Sequence, residues 1–62
     1  MPFISIEGPV IKDVEKKRIL AQLLTEAAVQ GYGLPKETII VLIRENSREN
    51  VGVAGTLLID RK

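Results

Sequence analysis

The chain contains no cysteine and no histidine. Without thiols it can form neither a disulfide framework nor a thiolate metal site. Without imidazole it lacks the commonest zinc ligand, which leaves only weak carboxylate options, and no metal site is expected. Serine-triad chemistry is excluded as well, because Ser5 and Ser47 have no histidine to activate them. Aromatics are almost absent: Phe3 and Tyr32 are the only two, too few for a base-stacking surface. Neither sign of charge prevails, with nine basic and eight acidic residues, whereas a nucleic-acid domain normally shows a basic excess. No apolar run approaches the ~20 residues of a membrane span, and no signal peptide precedes the first alternating segment. The expectation is a soluble, cytoplasmic protein that binds neither nucleic acid nor membrane.

What remains is a chain of 62 residues, read as a single domain over 1–62. A chain of this length buries only ~60% of the surface it exposes when unfolded. Small domains compensate with disulfides, a metal or a partner subunit. Composition excludes the first and leaves only weak carboxylate options for the second, so self-association is the stabiliser that remains.

Residues 2–7 alternate, with Ile4 and Ile6 on one face and Phe3, Ser5 and Glu7 on the other. This is a strand period, closed by the turn pair Gly8-Pro9. Asp13 suits a helix N-cap, and Glu15 in the first turn complements the helix dipole. Ile19, Leu20, Leu23, Leu24, Ala27 and Ala28 recur at three-and-four spacing, which predicts one amphipathic helix over Asp13 to Tyr32. Gly31 and Gly33 supply its C-terminal cap, and Pro35 prevents its resumption.

"ETIIVLIRE" (37–45) reads as the second strand. Ile39, Val41 and Ile43 point one way, Ile40 and Leu42 the other. Strand, helix and strand at this spacing predict a parallel βαβ crossover. One helix covers only one face of two strands, yet this strand is apolar on both. A second copy of the chain is therefore expected on the outer face. After the polar loop "NSREN" (46–50), "VGVAGTLLID" predicts a short hairpin that could reach a neighbour. The fold class is α/β: a βαβ unit with parallel strands, one helix and a C-terminal β-hairpin, completed by oligomerisation.

Candidate chemistry is scarce. The carboxylates Asp13/Glu15 and Glu45/Glu49, and the cluster Lys16-Lys17-Arg18, read as surface charge. Lys12, Lys36 and Lys62 are amines in a solvated setting. One group titrates near neutrality without a special environment, namely the amine that ends the chain. Initiator methionine is generally removed before a small residue, which would make Pro2 a rigid secondary amine at a strand start. Burial beside apolar side chains and nearby cations would lower its pKa and populate the free base. The plain alternative is a proline whose missing N–H is harmless where a strand begins.

Pro2 before a strand, a βαβ unit of about sixty residues and a glycine-rich tail together resemble the 4-oxalocrotonate tautomerase family. "ENVGVAG" (49–55), with "LLIDR" (57–61) behind it, is similar to the E-N-V-G-V-G-G phrase of a short, DmpI-like branch. "GP" (8–9), "KKR" (16–18) and "YG" (32–33) fit the same branch. The resemblance implies a cofactor-independent isomerase with Pro2 as general base, assembled as a homohexamer. Its substrate would be a small carboxylate-bearing enol or keto acid, such as 2-hydroxymuconate. It also implies that Lys12 stands where well-known members place an arginine that binds the substrate carboxylate, beside a helix N-terminus.

Two positions depart from the family pattern. Ile40 occupies the strand position of a second arginine, contributed by a neighbouring subunit, and Val51 replaces an aromatic that lines the proline pocket. Arg44 shares a strand face with Ile40 but lies ~13 Å along it, so it cannot substitute. The implied substrate-binding set is thus Lys12, Ile40 and Val51. Two further readings stay open: a decarboxylase or hydratase on the same scaffold, and a non-catalytic oligomeric binding protein.

Overall fold

A computed structural model describes residues 1–61. Two six-residue strands, β1 (Phe3–Gly8) and β2 (Ile40–Glu45), are joined by helix α1 (Val14–Tyr32). The strands are parallel, with Phe3 opposite Ile40, Ser5 opposite Leu42 and Glu7 opposite Arg44. A 3₁₀ turn over Lys36–Thr38 leads into β2 and another over Arg48–Asn50 follows it. The chain then forms a hairpin of β3 (Gly52–Val53) and β4 (Thr56–Leu57), and a last 3₁₀ turn over Leu58–Asp60. Lys62 lies outside the described residues.

The ends of α1 follow from local chemistry. Asp13 has extended backbone, and its carboxylate accepts the Glu15 N–H at 2.9 Å, satisfying one of the orphan donors of the first turn. At the other end Gly33 adopts φ 69°, and its N–H reaches the Val29 carbonyl at 2.8 Å. Only Gly33 caps the helix; Gly31 lies within it. The second strand is shorter than its apolar run, beginning at Ile40 rather than Glu37. Residues 36–38 are drawn into a turn in which both the Thr38 N–H and its hydroxyl donate to the Pro35 carbonyl, at 3.0 and 2.8 Å.

The helix stripe divides in two. Leu20, Leu24 and Ala28 turn toward the sheet, whereas Ile19, Leu23 and Ala27 form a neighbouring row that stays exposed. A two-stranded sheet is too narrow to cover both rows. Ile4, Ile6, Val41 and Ile43 are half-buried, and on the outer face Phe3, Ile40 and Leu42 are 60%, 41% and 37% exposed.

The isolated chain is consequently under-packed. Among the described residues only Pro2 and Ala28 are buried, Ala28 at 8% exposure. The accessible surface is 5081 Å², against about 4,000 Å² for a compact monomer of this mass. The molecule extends 44 Å along its longest axis and 14 Å along its shortest. Its radius of gyration is 14.9 Å, more than the ~13 Å of a compact domain of 100 residues. Among the described residues no helix is long and apolar enough to cross a membrane.

The tail packs largely on itself. The Leu58 N–H donates to Val51 at 2.8 Å, and the Arg48 guanidinium donates to the Leu58 carbonyl at 2.6 Å. Its two-residue turn places Ala54 at φ 54° and Gly55 at φ 84°. Both central residues are left-handed, the mirror-image turn whose twist matches paired strands.

Candidate active site

Pro2 is buried at the head of β1, directly behind an exposed Met1. Its carbonyl accepts the Ile40 N–H at 3.0 Å, so the first hydrogen bond between the strands fixes the proline. Proline has no N–H to leave unsatisfied there, and the ladder proceeds without its nitrogen. Ile40 therefore stands beside Pro2 in the same chain, and its side chain shares the outer face with Phe3.

Lys12 and Val51 belong to the other end of the sheet. Pro2 and Gly8 are six residues apart on an extended strand, about 20 Å. The Asn46 N–H donates to Gly8 at 2.9 Å, and the Ile11 N–H donates to the Glu45 carboxylate at 2.6 Å. These bonds hold the loop before α1 against the end of β2, and Lys12 follows immediately. Its side chain reaches roughly 6 Å, far short of Pro2. Val51 lines a groove of about 360 Å³ with Gly8, Pro9 and Leu58, again at the Gly8 end. Within one chain, then, Pro2 and Ile40 come together, while Lys12 and Val51 do not join them.

Charge collects at the Gly8 end. One Glu45 oxygen accepts from Ile11, and the other pairs with the Lys17 ammonium at 2.7 Å. The Lys17 bond, followed by the Ile11 N–H, holds the Glu45 carboxyl below its usual pKa. Arg44 faces Glu7 across the outer sheet surface at 3.9 Å. Lys12 is exposed and makes no ion pair among the described residues. No group of three or more potential metal-ligating side chains occurs among the described residues. A wider groove of about 640 Å³ runs along the helix flank past Thr25, Val29 and Lys36. Pro2 lines none of the three principal grooves.

The family model described as "Tautomerase enzyme" matches residues 2–61, beginning at the proline. The chain belongs to the tautomerase family. It is 33% identical over 60 residues to the 2-hydroxymuconate tautomerase of Bacillus subtilis, covering 97% of each. Among solved structures it resembles DmpI from Archaeoglobus fulgidus with a TM-score of 0.85 and 42% identity, covering 95% of this chain and all of that one. It also superimposes on YwhB, a homologue of 4-oxalocrotonate tautomerase, with a TM-score of 0.90 and 31% identity over 98% of this chain and all of the other. A tautomerase is an isomerase, and that is the activity class of this family member.

Sequence reasoning missed the role of Glu45 in this tautomerase fold, reading it as surface charge. Its partners Lys17 and Ile11 lie 28 and 34 residues away along the chain, so no local pattern announces them. Lys17 is likewise not merely part of a solvated cluster. Its neighbour Arg18 does bind locally, to Glu15 at 2.9 Å on the exposed helix surface.

Proposed function

We propose that this chain is an enol–keto tautomerase in which Pro2, freed by loss of Met1, is the general base. The observation that carries the reading is the buried proline, anchored by Ile40 at the residue where the family match begins. Once Met1 is absent, the nitrogen is a secondary amine opening onto the space that Met1 occupied. Burial disfavours the ammonium and keeps the free base populated near neutral pH. That base takes a proton from a dienol, or from a carbon beside a carbonyl, and the resulting ammonium returns it to another carbon. The proton balance closes without a cofactor.

The substrate is a small 2-hydroxy-dienoate or 2-oxo acid, as the 2-hydroxymuconate tautomerase relative suggests. Lys12 binds a substrate carboxylate, and Ile40 and Val51 form apolar walls. Because Pro2 and Lys12 lie at opposite ends of one sheet, a complete site takes them from different copies. Assembly as a homohexamer supplies those copies. The exposed outer face of Phe3, Ile40 and Leu42 and the excess surface of the lone chain support that reading. The working compartment is the cytoplasm.

The test compares Met1-bearing and processed chains, with the N-terminus verified by mass spectrometry, on 2-hydroxymuconate and phenylenolpyruvate. Processed protein is expected to be faster by about 10²–10⁴-fold, the usual contribution of a general base. Pro2→Ala should only reduce the rate, since a primary amine remains. Equal activity with and without Met1 would return Pro2 to being a strand starter.

A further inference from the structure

The five residues between β1 and α1 are held at both ends around Lys12. On one side the Glu45 carboxylate takes the Ile11 N–H at 2.6 Å and the Lys17 ammonium at 2.7 Å. On the other, the Asp13 side chain accepts from Glu15, and its carbonyl accepts from Lys16 at 3.1 Å. Lys12 sits between these fixed neighbours with an exposed ammonium that forms no ion pair among the described residues. Its neighbours on both sides are hydrogen-bonded and its charge is free. A flexible lysine binds an anion less tightly than a fixed one, because ordering the loop opposes binding.

We infer that Glu45 is a positioning residue for Lys12, acting through the Ile11 N–H and Lys17 to present the ammonium to a substrate carboxylate. The inference rests on the reading of Lys12 as the carboxylate binder. Lys17 has the complementary task of holding Glu45 ionised and oriented. Neither residue touches substrate.

A kinetic double-mutant cycle tests it, with Glu45→Ala, Lys12→Ala and the pair assayed on processed protein with 2-hydroxymuconate. Glu45→Ala should raise KM about three- to tenfold, the size of coupling expected between residues in one network, and leave kcat nearly unchanged. In the Lys12→Ala background the same substitution should add nothing. Amide exchange at Ile11 should accelerate in Glu45→Ala, and Glu45→Gln should fall between, since its amide oxygen still accepts from Ile11. Should Glu45→Ala fail to fold, Glu45→Gln and Lys17→Met carry the same cycle. An unchanged KM, or an equal rise in both backgrounds, would overturn the role of Glu45 alone. An unchanged KM in Lys12→Ala would instead overturn the reading of Lys12, and the role of Glu45 with it.

Discussion

The two ends of the β1–β2 sheet differ in chemical character. At the Pro2 end the chain offers a buried proline, Phe3 and Ile40, joined by a single backbone bond. At the Gly8 end it gathers Glu7, Arg44, Glu45, Lys17 and Lys12, with a loop pinned from several sides. An apolar setting keeps an amine neutral, whereas an anion is met by exposed cations near a helix N-terminus. About 20 Å of extended strand separates the two ends. The difference teaches that, if the proposed site is right, one chain holds both of its halves and cannot close them on each other.

The largest effect on this comparison should come from preventing assembly. Leu42→Asp places a carboxylate on the outer face, where the lone chain tolerates it and a buried interface does not. An unpaired buried charge costs about 3–5 kcal/mol. Sedimentation should show smaller species, and tautomerase activity should fall at least a hundredfold. An active monomer would show that one chain suffices after all.

Mixing subunits sharpens the same point. On the proposed reading, Met1-bearing chains with intact Lys12 have an anion binder but no base, and processed Lys12→Ala chains the reverse. Co-refolded in equal amounts, random neighbours should restore normal KM in about a quarter of the sites, as a site shared between copies of a symmetric oligomer requires. If both groups came from one chain, no such site would form.

A smaller contrast concerns acid. The folded Glu45 carboxyl is held below the usual 4.5, so as pH falls the unfolded chain takes up its proton first. Its contribution to stability is full above the ordinary glutamate range and disappears as pH drops through the lowered folded value. The difference in melting temperature between wild type and Glu45→Gln should therefore narrow on acidification. A constant difference would remove the Gly8-end ion pair from the stability of the fold.

The smallest effect lies in the tail. Ala54 is a non-glycine residue at φ 54°, a region that costs an L-residue about 1–2 kcal/mol. Ala54→Gly should stabilise the hairpin by up to about 1 kcal/mol after the added freedom of the unfolded chain is counted. Thermal unfolding with unchanged activity would register it. No stabilisation would mean that the turn is already relaxed around the alanine.

Elements governed by neighbours along the chain were legible in the sequence. The alternation of Ile4 and Ile6, the Asp13 cap and the Gly33 terminus are each settled within a few residues. The resemblance to tautomerases was also legible, because Pro2 and the "ENVGVAG" phrase keep their order and spacing. What could not be read was set by distance in space. The start of β2 slipped to Ile40 because Thr38 found Pro35, and the helix stripe divided because the sheet is narrow. The resemblance places Lys12 and Val51 in one site with Pro2, and only the strand length shows that within a single chain they lie at the far end from it. Glu45 was overlooked because its partners lie across the chain.

The bond from Ile40 to the Pro2 carbonyl also bears on how such a protein is matured. Met1 is 85% exposed and takes part in none of the hydrogen bonds that define the described fold. Its excision would sever one covalent bond and leave the strand ladder intact, because the ladder uses the proline's oxygen and not its nitrogen. Processing would then leave the fold as it is while it switches the nitrogen from amide to amine. A cell could hold two populations of this chain with the same fold, distinguished by a single residue and by whether the Pro2 nitrogen can carry a proton.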